Sequence, residues 1–212
     1  HLCCVSTDTL VAGVHFLPEW LPEDIAYKAV MVNLSDCAAM GATPIALTLA
    51  LTLPQAEEAW LARFARGLQE ALQAHQVALI GGDLTRGALS LTGTVQGIVP
   101  RHQAVKRSGA SPGDRLYVTG PLGLAAFAVG VFEQTPPLPH PLAAQKARYQ
   151  AMTKQDVLAG QTELALLKKA LHFPAPRLDF GTILRDYVSS AIDISDGLCA
   201  EIHHLCAASG LG

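Results

Sequence analysis

The sequence is short of charge and of aromatic side chains. Only 16% of its 212 residues are Asp, Glu, Lys or Arg and 6% are Phe, Trp or Tyr, while half are hydrophobic and the net charge is −3. It holds no run of lysine and arginine, which argues against a nucleic-acid or membrane-surface partner. Its longest apolar runs fall far short of the roughly 20 residues a membrane span needs. The five cysteines, Cys3, Cys4, Cys37, Cys199 and Cys206, are odd in number and include no C-x-x-C. That pattern fits buried free thiols and a cytoplasmic location rather than a disulfide framework. A zinc site on His203, His204 and Cys206 is disfavoured, because adjacent helical residues point in different directions. There is no G-x-x-x-x-G-K-[ST] and no kinase lysine–HRD–DFG set, so any nucleoside triphosphate would have to be held by other means.

What is present is enough apolar material for a large core and an ordered series of strands and helices. Strands are predicted over 2–9, 44–54, 77–82 and 88–100, and helices over 22–41 and 55–75. The second of these helices carries Trp60, Phe64, Leu68, Ala71 and Leu72 at the spacing of one apolar face. The polar stretch VKRSGASPGD (105–114) marks a change of texture and sets the expected boundary between domains 1–110 and 111–212. Beyond it, strands are predicted at 114–120 and 189–195 and helices at 122–132, 160–171, 177–187 and 197–209. The segment 134–141 holds four prolines and reads as a loop. The alternation predicts layered α/β units.

Five of the ten aspartates share one habit. Asp8 in STDT, Asp36 in NLSD, Asp83 in GGD, and Asp193 and Asp196 in AIDISDGL each end an apolar segment among small residues. Each could be a cap or a turn residue when taken alone. Together they read as a shared site, because several buried carboxylates need cations and the sequence places few beside them. Carboxylate and hydroxyl oxygen is the ligand set of magnesium. Arg107 in VKRSGA is the cation best placed to join a phosphate; as a turn residue it could equally be solvated.

The stretches STDTLVAGVHF (6–16), AYKAVMVNLSDCAAMGATP (26–44), LALTLP (49–54), LIGGDLTRG (79–87), VKRSGASPGDRLYVTG (105–120) and AIDISDGL (191–198) resemble the thiamine-monophosphate kinases of the aminoimidazole ribonucleotide synthetase-like superfamily. The resemblance implies a two-domain α/β (α+β) fold: an N-terminal sheet domain that dimerises and a C-terminal α/β domain. It implies transfer of the γ-phosphate of ATP to thiamine monophosphate, with several Mg2+ ions between the two phosphate chains and the nucleotide near the seam of a homodimer. By motif, Ser6, Thr7, Asp8, Asp36, Asp83, Asp193 and Asp196 would be metal ligands, and Gly82, Asp83, Arg107 and Ser195 would contact ATP. His15 would touch the thiamine phosphate. The family's G-D-D before the first acid-bearing strand and its G-G-E-D-Y-E-L-type segment past the last helix lie outside these 212 residues, which makes the chain look truncated at both ends. The rival readings are another ATP-using enzyme of the superfamily, such as a selenophosphate synthetase using Cys3 or Cys4, and a non-catalytic nucleotide- or thiamine-phosphate-binding protein.

Overall fold

In the computed structural model, which describes residues 1–133 and 140–211, the chain forms two compact units. One comprises His1–Thr119 with the chain from Pro176 onward; the other is Gly120–Ala175.

The first unit is built on a four-stranded mixed sheet. Strands β1 (Leu2–Val11), β2 (Thr43–Leu53), β3 (Ala78–Arg86) and β4 (Ser90–Val99) lie in the order β1-β4-β2-β3. β4 is antiparallel to both β1 and β2, and β2 is parallel to β3. Alternation explains β4: Leu91, Gly93, Val95, Gly97 and Val99 are buried, while Ser90, Thr92, Thr94 and Gln96 face the other way and are half-exposed. That open face is rich in threonine, with Thr7 and Thr94, and Thr9 and Thr92, joined hydroxyl to hydroxyl at 2.9 Å.

Helix α1 (Pro22–Ala39) covers the buried face. Pro22 at its first turn and Glu23 and Asp24 behind it suit a helix start. Gly41, with φ +64°, supplies the left-handed residue that ends it. The helix packs on a floor of glycine: a Cβ at Gly93 would stand 2.5 Å from Asn33 Nδ2, and one at Gly97 3.0 Å from Cys37 Sγ. Helix α2 (Glu58–Ala74) crosses α1 at Gly67, where a Cβ would overlap the Glu23 backbone. Arg63 donates to both carboxylate oxygens of Glu23 at 2.9 Å and fixes the crossing. The predicted stripe of α2 holds for Phe64, Leu68, Ala71 and Leu72; Trp60 is half-exposed and stacks on Phe64 with ring centroids 5.1 Å apart.

Two predicted strands are absent. Residues 114–120 and 189–195 run as irregular backbone. Both are apolar enough to read as strands, but a strand exists only against a hydrogen-bonding neighbour, and among the described residues neither has a ladder. They are held by other bonds instead: Ala191 N–H donates to Lys106 O at 3.0 Å, and Ser189 Oγ donates to Asp114 Oδ2 at 2.6 Å. Helices α7 (Leu178–Leu184) and α8 (Leu198–Ala208) complete this unit near their expected positions.

The second unit is helical: α3 (Leu124–Ala128), a π-helical turn at Val129–Glu133, α4 (His140–Ala151), α5 (Lys154–Ala159) and α6 (Glu163–His172). The sequence reading missed α4 and α5, although Thr153 and Asp156 form a reciprocal capping box that marks the start of α5. Buried Lys168 donates to the carbonyls of Tyr149, Gln150 and Met152 at 3.1, 3.3 and 2.7 Å and closes the end of α4. Most of the proline-rich stretch expected as a loop lies outside the described residues.

Candidate active site

The acids meet on the helix side of β1. Ser6 and Asp8 are on the strand face that looks toward α1, as the even residues of β1 do. The glycine floor lets α1 approach until Ser6 Oγ donates to Asp36 Oδ2 at 2.5 Å. Asp193 arrives on the irregular segment before α8, where the Ser35 hydroxyl donates to its carboxylate. Burial, then the Asp36 charge, push the Asp193 carboxyl up to about 6, with Asp8 adding to the rise. Asp8 is raised for the same reasons in the same order, burial and then Asp36, and is partly relieved by His15. The Asp36 charge therefore raises both Asp8 and Asp193, which come from two other, distant segments. The lysine and arginine that the sequence lacks nearby are not brought in by the fold among the neighbours acting on Asp193.

The other predicted residues sit around or away from this cluster. Thr7 is on the open face, bonded to Thr94. Gly82 and Asp83 lie in β3, on the opposite edge of the sheet, where Asp83 Oδ2 accepts from Thr85 Oγ1 at 2.8 Å. Asp83 pairs with Ala50 and so shares the open face. Asp8 and Asp83 are thus three strands apart, roughly 14 Å at the usual spacing, and on opposite faces. Arg107 is exposed, one residue from Lys106, whose carbonyl receives Ala191 N–H two residues before Asp193. Ser195 and Asp196 are exposed at the entry to α8. His15 accepts the Val11 N–H on Nδ1 at 3.0 Å, so the neutral ring carries its proton on Nε2 and can donate outward.

Three residues that support these groups escaped the sequence reading. Ser35 neighbours Asp36 in NLSD and could have been suspected for that reason. Ser209, at the end of α8, accepts from Gly109 and Ala110 N–H at 3.2 and 3.1 Å and donates to Arg107 O at 3.3 Å, across about a hundred residues that no local pattern connects. Glu201 is buried, and its Oε1 accepts from Ser195 N–H, Ser195 Oγ and Asp196 N–H at 3.3, 3.2 and 3.0 Å. Its signal was a lone acid in an apolar helix. Burial works to raise the Glu201 carboxyl, but the donors from Asp196 and Ser195 outweigh it and hold it below the usual range. Glu201→Ala is expected to lower stability by about 1–3 kcal/mol and to speed amide exchange at Ser195 and Asp196. The carboxylate's contribution is fully present above the unfolded-state value of about 4.3 and is lost as pH falls through the lower folded-state value. Melting curves of both proteins between pH 3 and pH 7, converging at the acid end, are the check.

Among the described residues, no three His, Cys, Asp or Glu side chains enclose a metal by themselves. An incomplete, electrostatically strained set of carboxylates and a hydroxyl nevertheless fits Mg2+, which keeps several waters and takes further oxygens from substrate phosphates. The expectation of buried free thiols holds for Cys37 alone, since Cys3 and Cys199 are exposed and Cys4 and Cys206 half-buried. Burial, then the neighbouring Cys3, raise the Cys4 thiol, and burial pushes Cys37 up to about 12, so neither favours a thiolate.

A mixed sheet with a helix-covered face and acids at one end of that face defines a class. Residues 1–99 match the family described as AIR synthase related protein, N-terminal domain. Over nearly its whole length the chain is similar to thiamine-monophosphate kinases. It is 47% identical over 208 residues to the thiamine-monophosphate kinase of Salmonella typhimurium, covering 98% of this chain and 58% of that relative. The crystal structure of the thiamine-monophosphate kinase from Stenotrophomonas maltophilia superposes with a TM-score of 0.84 at 40% identity, over 99% of this chain and 61% of that one. AaThiL complexed with AMPPCP and TMP superposes with a TM-score of 0.78 at 30% identity, over 98% of this chain and 60% of its own. The chain therefore spans about three-fifths of the length of the relatives it matches. Among the described residues no helix is long and apolar enough to cross a membrane.

Proposed function

We propose that the chain is the ATP- and metal-binding part of a kinase that converts thiamine monophosphate to thiamine diphosphate, with residues 1–110 as the nucleotide-binding and dimerising portion and 111–212 as part of a second domain. The observation that carries this reading is the meeting of Asp8, Asp36 and Asp193 in a chain 47% identical to a thiamine-monophosphate kinase. The similar AaThiL is known complexed with AMPPCP, an ATP analogue, and TMP, which supports both substrates.

The reaction joins a phosphate oxygen of thiamine monophosphate to the γ-phosphorus of ATP and breaks the bond from that phosphorus to the bridging oxygen, which leaves with ADP. The attacking phosphate is already ionised, so no general base is needed, in keeping with a site rich in acids and poor in His–acid pairs. Asp8, Asp36 and Asp193, with Ser6, would hold Mg2+, which when bound neutralises the two phosphate chains. Arg107 is assigned to ATP phosphate, and Gly82 and Ser195 to the nucleotide. Thr7, Asp83 and Asp196 complete the proposed ligand set, Asp83 from a second copy of the chain, because β1 and β3 are the two free edges of the sheet.

The decisive assay is ADP release by the full-length protein on addition of ATP, Mg2+ and thiamine monophosphate. ADP formed only with thiamine monophosphate is the expected result. Release driven by selenide, or tight Mg2+-dependent nucleotide binding with no ADP from any acceptor, would replace this reading with one of its rivals.

His15 is assigned to the acceptor phosphate, because its Nε2–H is the outward donor beside Asp8. His15→Ala is expected to raise KM for thiamine monophosphate about ten-fold while leaving KM for ATP nearly unchanged, the loss of one charge-assisted hydrogen bond. Equal changes in both constants, with a lower melting temperature, would make His15 a packing residue.

A further inference from the structure

Asp36 and Asp193 are brought together by elements far apart in sequence, and between them in the chain α7 meets the end of α1. Two contacts are made there. Gly181 lies against the α1 backbone so closely that a Cβ would overlap the Ala38 carbonyl oxygen and stand 3.0 Å from Ala38 Cα. Four residues on, Arg185 Nε donates to Gly41 O at 2.5 Å. Gly41 is the left-handed residue that ends α1, and a Cβ on it would stand 2.8 Å from Arg185 Cγ. The glycine sets how near α7 comes to α1, and the arginine, a cation at a helix C-terminus, sets where along α1 it stops.

Both contacts lie within a short reach of the acids. Asp36 is two residues before Ala38, and Asp193 is eight residues after Arg185 along irregular chain, with its carboxylate bonded to Ser35 of α1. Arg185 is also the nearest arginine in sequence before Asp193, and the contact with Gly41 holds its Nε on a backbone carbonyl. We propose that Gly181 and Arg185 are positioning residues of the active site: they dock α7 on the C-terminal turn of α1 and thereby set the separation of Asp36 and Asp193 across which a divalent cation is held. The proposal rests on the metal-site reading given above.

The test uses Mn2+ as the probe, titrated into the full-length protein and followed by the loss of the free-ion EPR signal. Wild type is expected to bind and Asp36→Asn to bind at least about ten-fold more weakly. Arg185→Ala and Gly181→Ala are each expected to weaken Mn2+ about ten-fold, and Arg185→Lys, which keeps a cationic donor, to recover most of the loss. The discriminating arm is the cycle with Asp193→Asn: in that background Arg185→Ala should change Mn2+ affinity by less than about two-fold, because the residue it places is already gone. A purely structural role would give the same loss in both backgrounds and would overturn the proposal, as would unchanged affinity in folded Arg185→Ala. Should Gly181→Ala fail to fold, its melting curve will show it, and the arginine variants still decide. No Mn2+ binding by wild type would overturn the metal-site reading itself, a result distinct from failure of the cycle.

Discussion

Asp36→Asn is expected to reduce kcat by about 10²-fold or more while raising the melting temperature of the metal-free protein. The two effects have one cause. The Asp36 charge is the second contribution, after burial, to the raised Asp8 and Asp193 carboxyls, so removing it relieves repulsion in the folded state. An asparagine side-chain oxygen can still accept from Ser6 Oγ, so the packing of α1 on β1 is preserved. What the amide cannot supply is the negative charge that balances a divalent cation between two phosphate chains. The pH dependence has a definite sign. Asp193 has a raised folded-state value, about 6, against about 3.9 unfolded. Metal-free wild type is therefore most favoured below pH 4 as far as this group is concerned, and loses that stability as pH rises to 6 and beyond. Mg2+ should restore it. Thermal melts of both proteins across pH 4–8, with and without Mg2+, alongside steady-state turnover, test the pair of effects. Turnover near wild type at saturating Mg2+ would remove Asp36 from the site.

Mixing two inactive variants, Asp8→Asn and Asp83→Asn, is expected to restore activity. The two carboxylates are on opposite faces and opposite edges of one sheet, so a single chain cannot close them on one ion. A two-fold dimer that brings the β1 edge of one copy to the β3 edge of the other makes each site from Asp8 of one chain and Asp83 of its partner. Random mixing then yields heterodimers with one doubly altered and one intact site, and about a quarter of wild-type activity. The open edge β3 supports this arrangement: Leu79, Ile80 and Leu84 are 49, 56 and 58% exposed, more apolar surface than a free edge strand usually carries. No recovery on mixing, with dimers demonstrated by sedimentation, would place Asp8 and Asp83 in separate roles.

Much of this protein was legible in its sequence, for reasons that are local. The four strands and two long helices of the first unit follow from alternation in β4, the apolar stripe of α2, and the proline and glycine that bracket α1. The acids were legible too, because a carboxylate at the end of an apolar segment is out of place wherever it later sits. The segments 114–120 and 189–195 were misread, since an apolar run carries no information about whether a neighbouring strand exists to pair with it. The tertiary structure alone decided which acids meet. Strand parity turns Ser6 and Asp8 toward α1 and Thr7 away, the sheet order β1-β4-β2-β3 sends Asp83 to the far edge, and the close approaches at Gly93, Gly97 and Gly181 bring Asp36 and Asp193 within reach of Asp8. Residue type and local pattern fix what each side chain can do; the order of strands and the glycines between layers fix which of them do it together, because distances across a fold are set by backbone packing and not by separation along the chain.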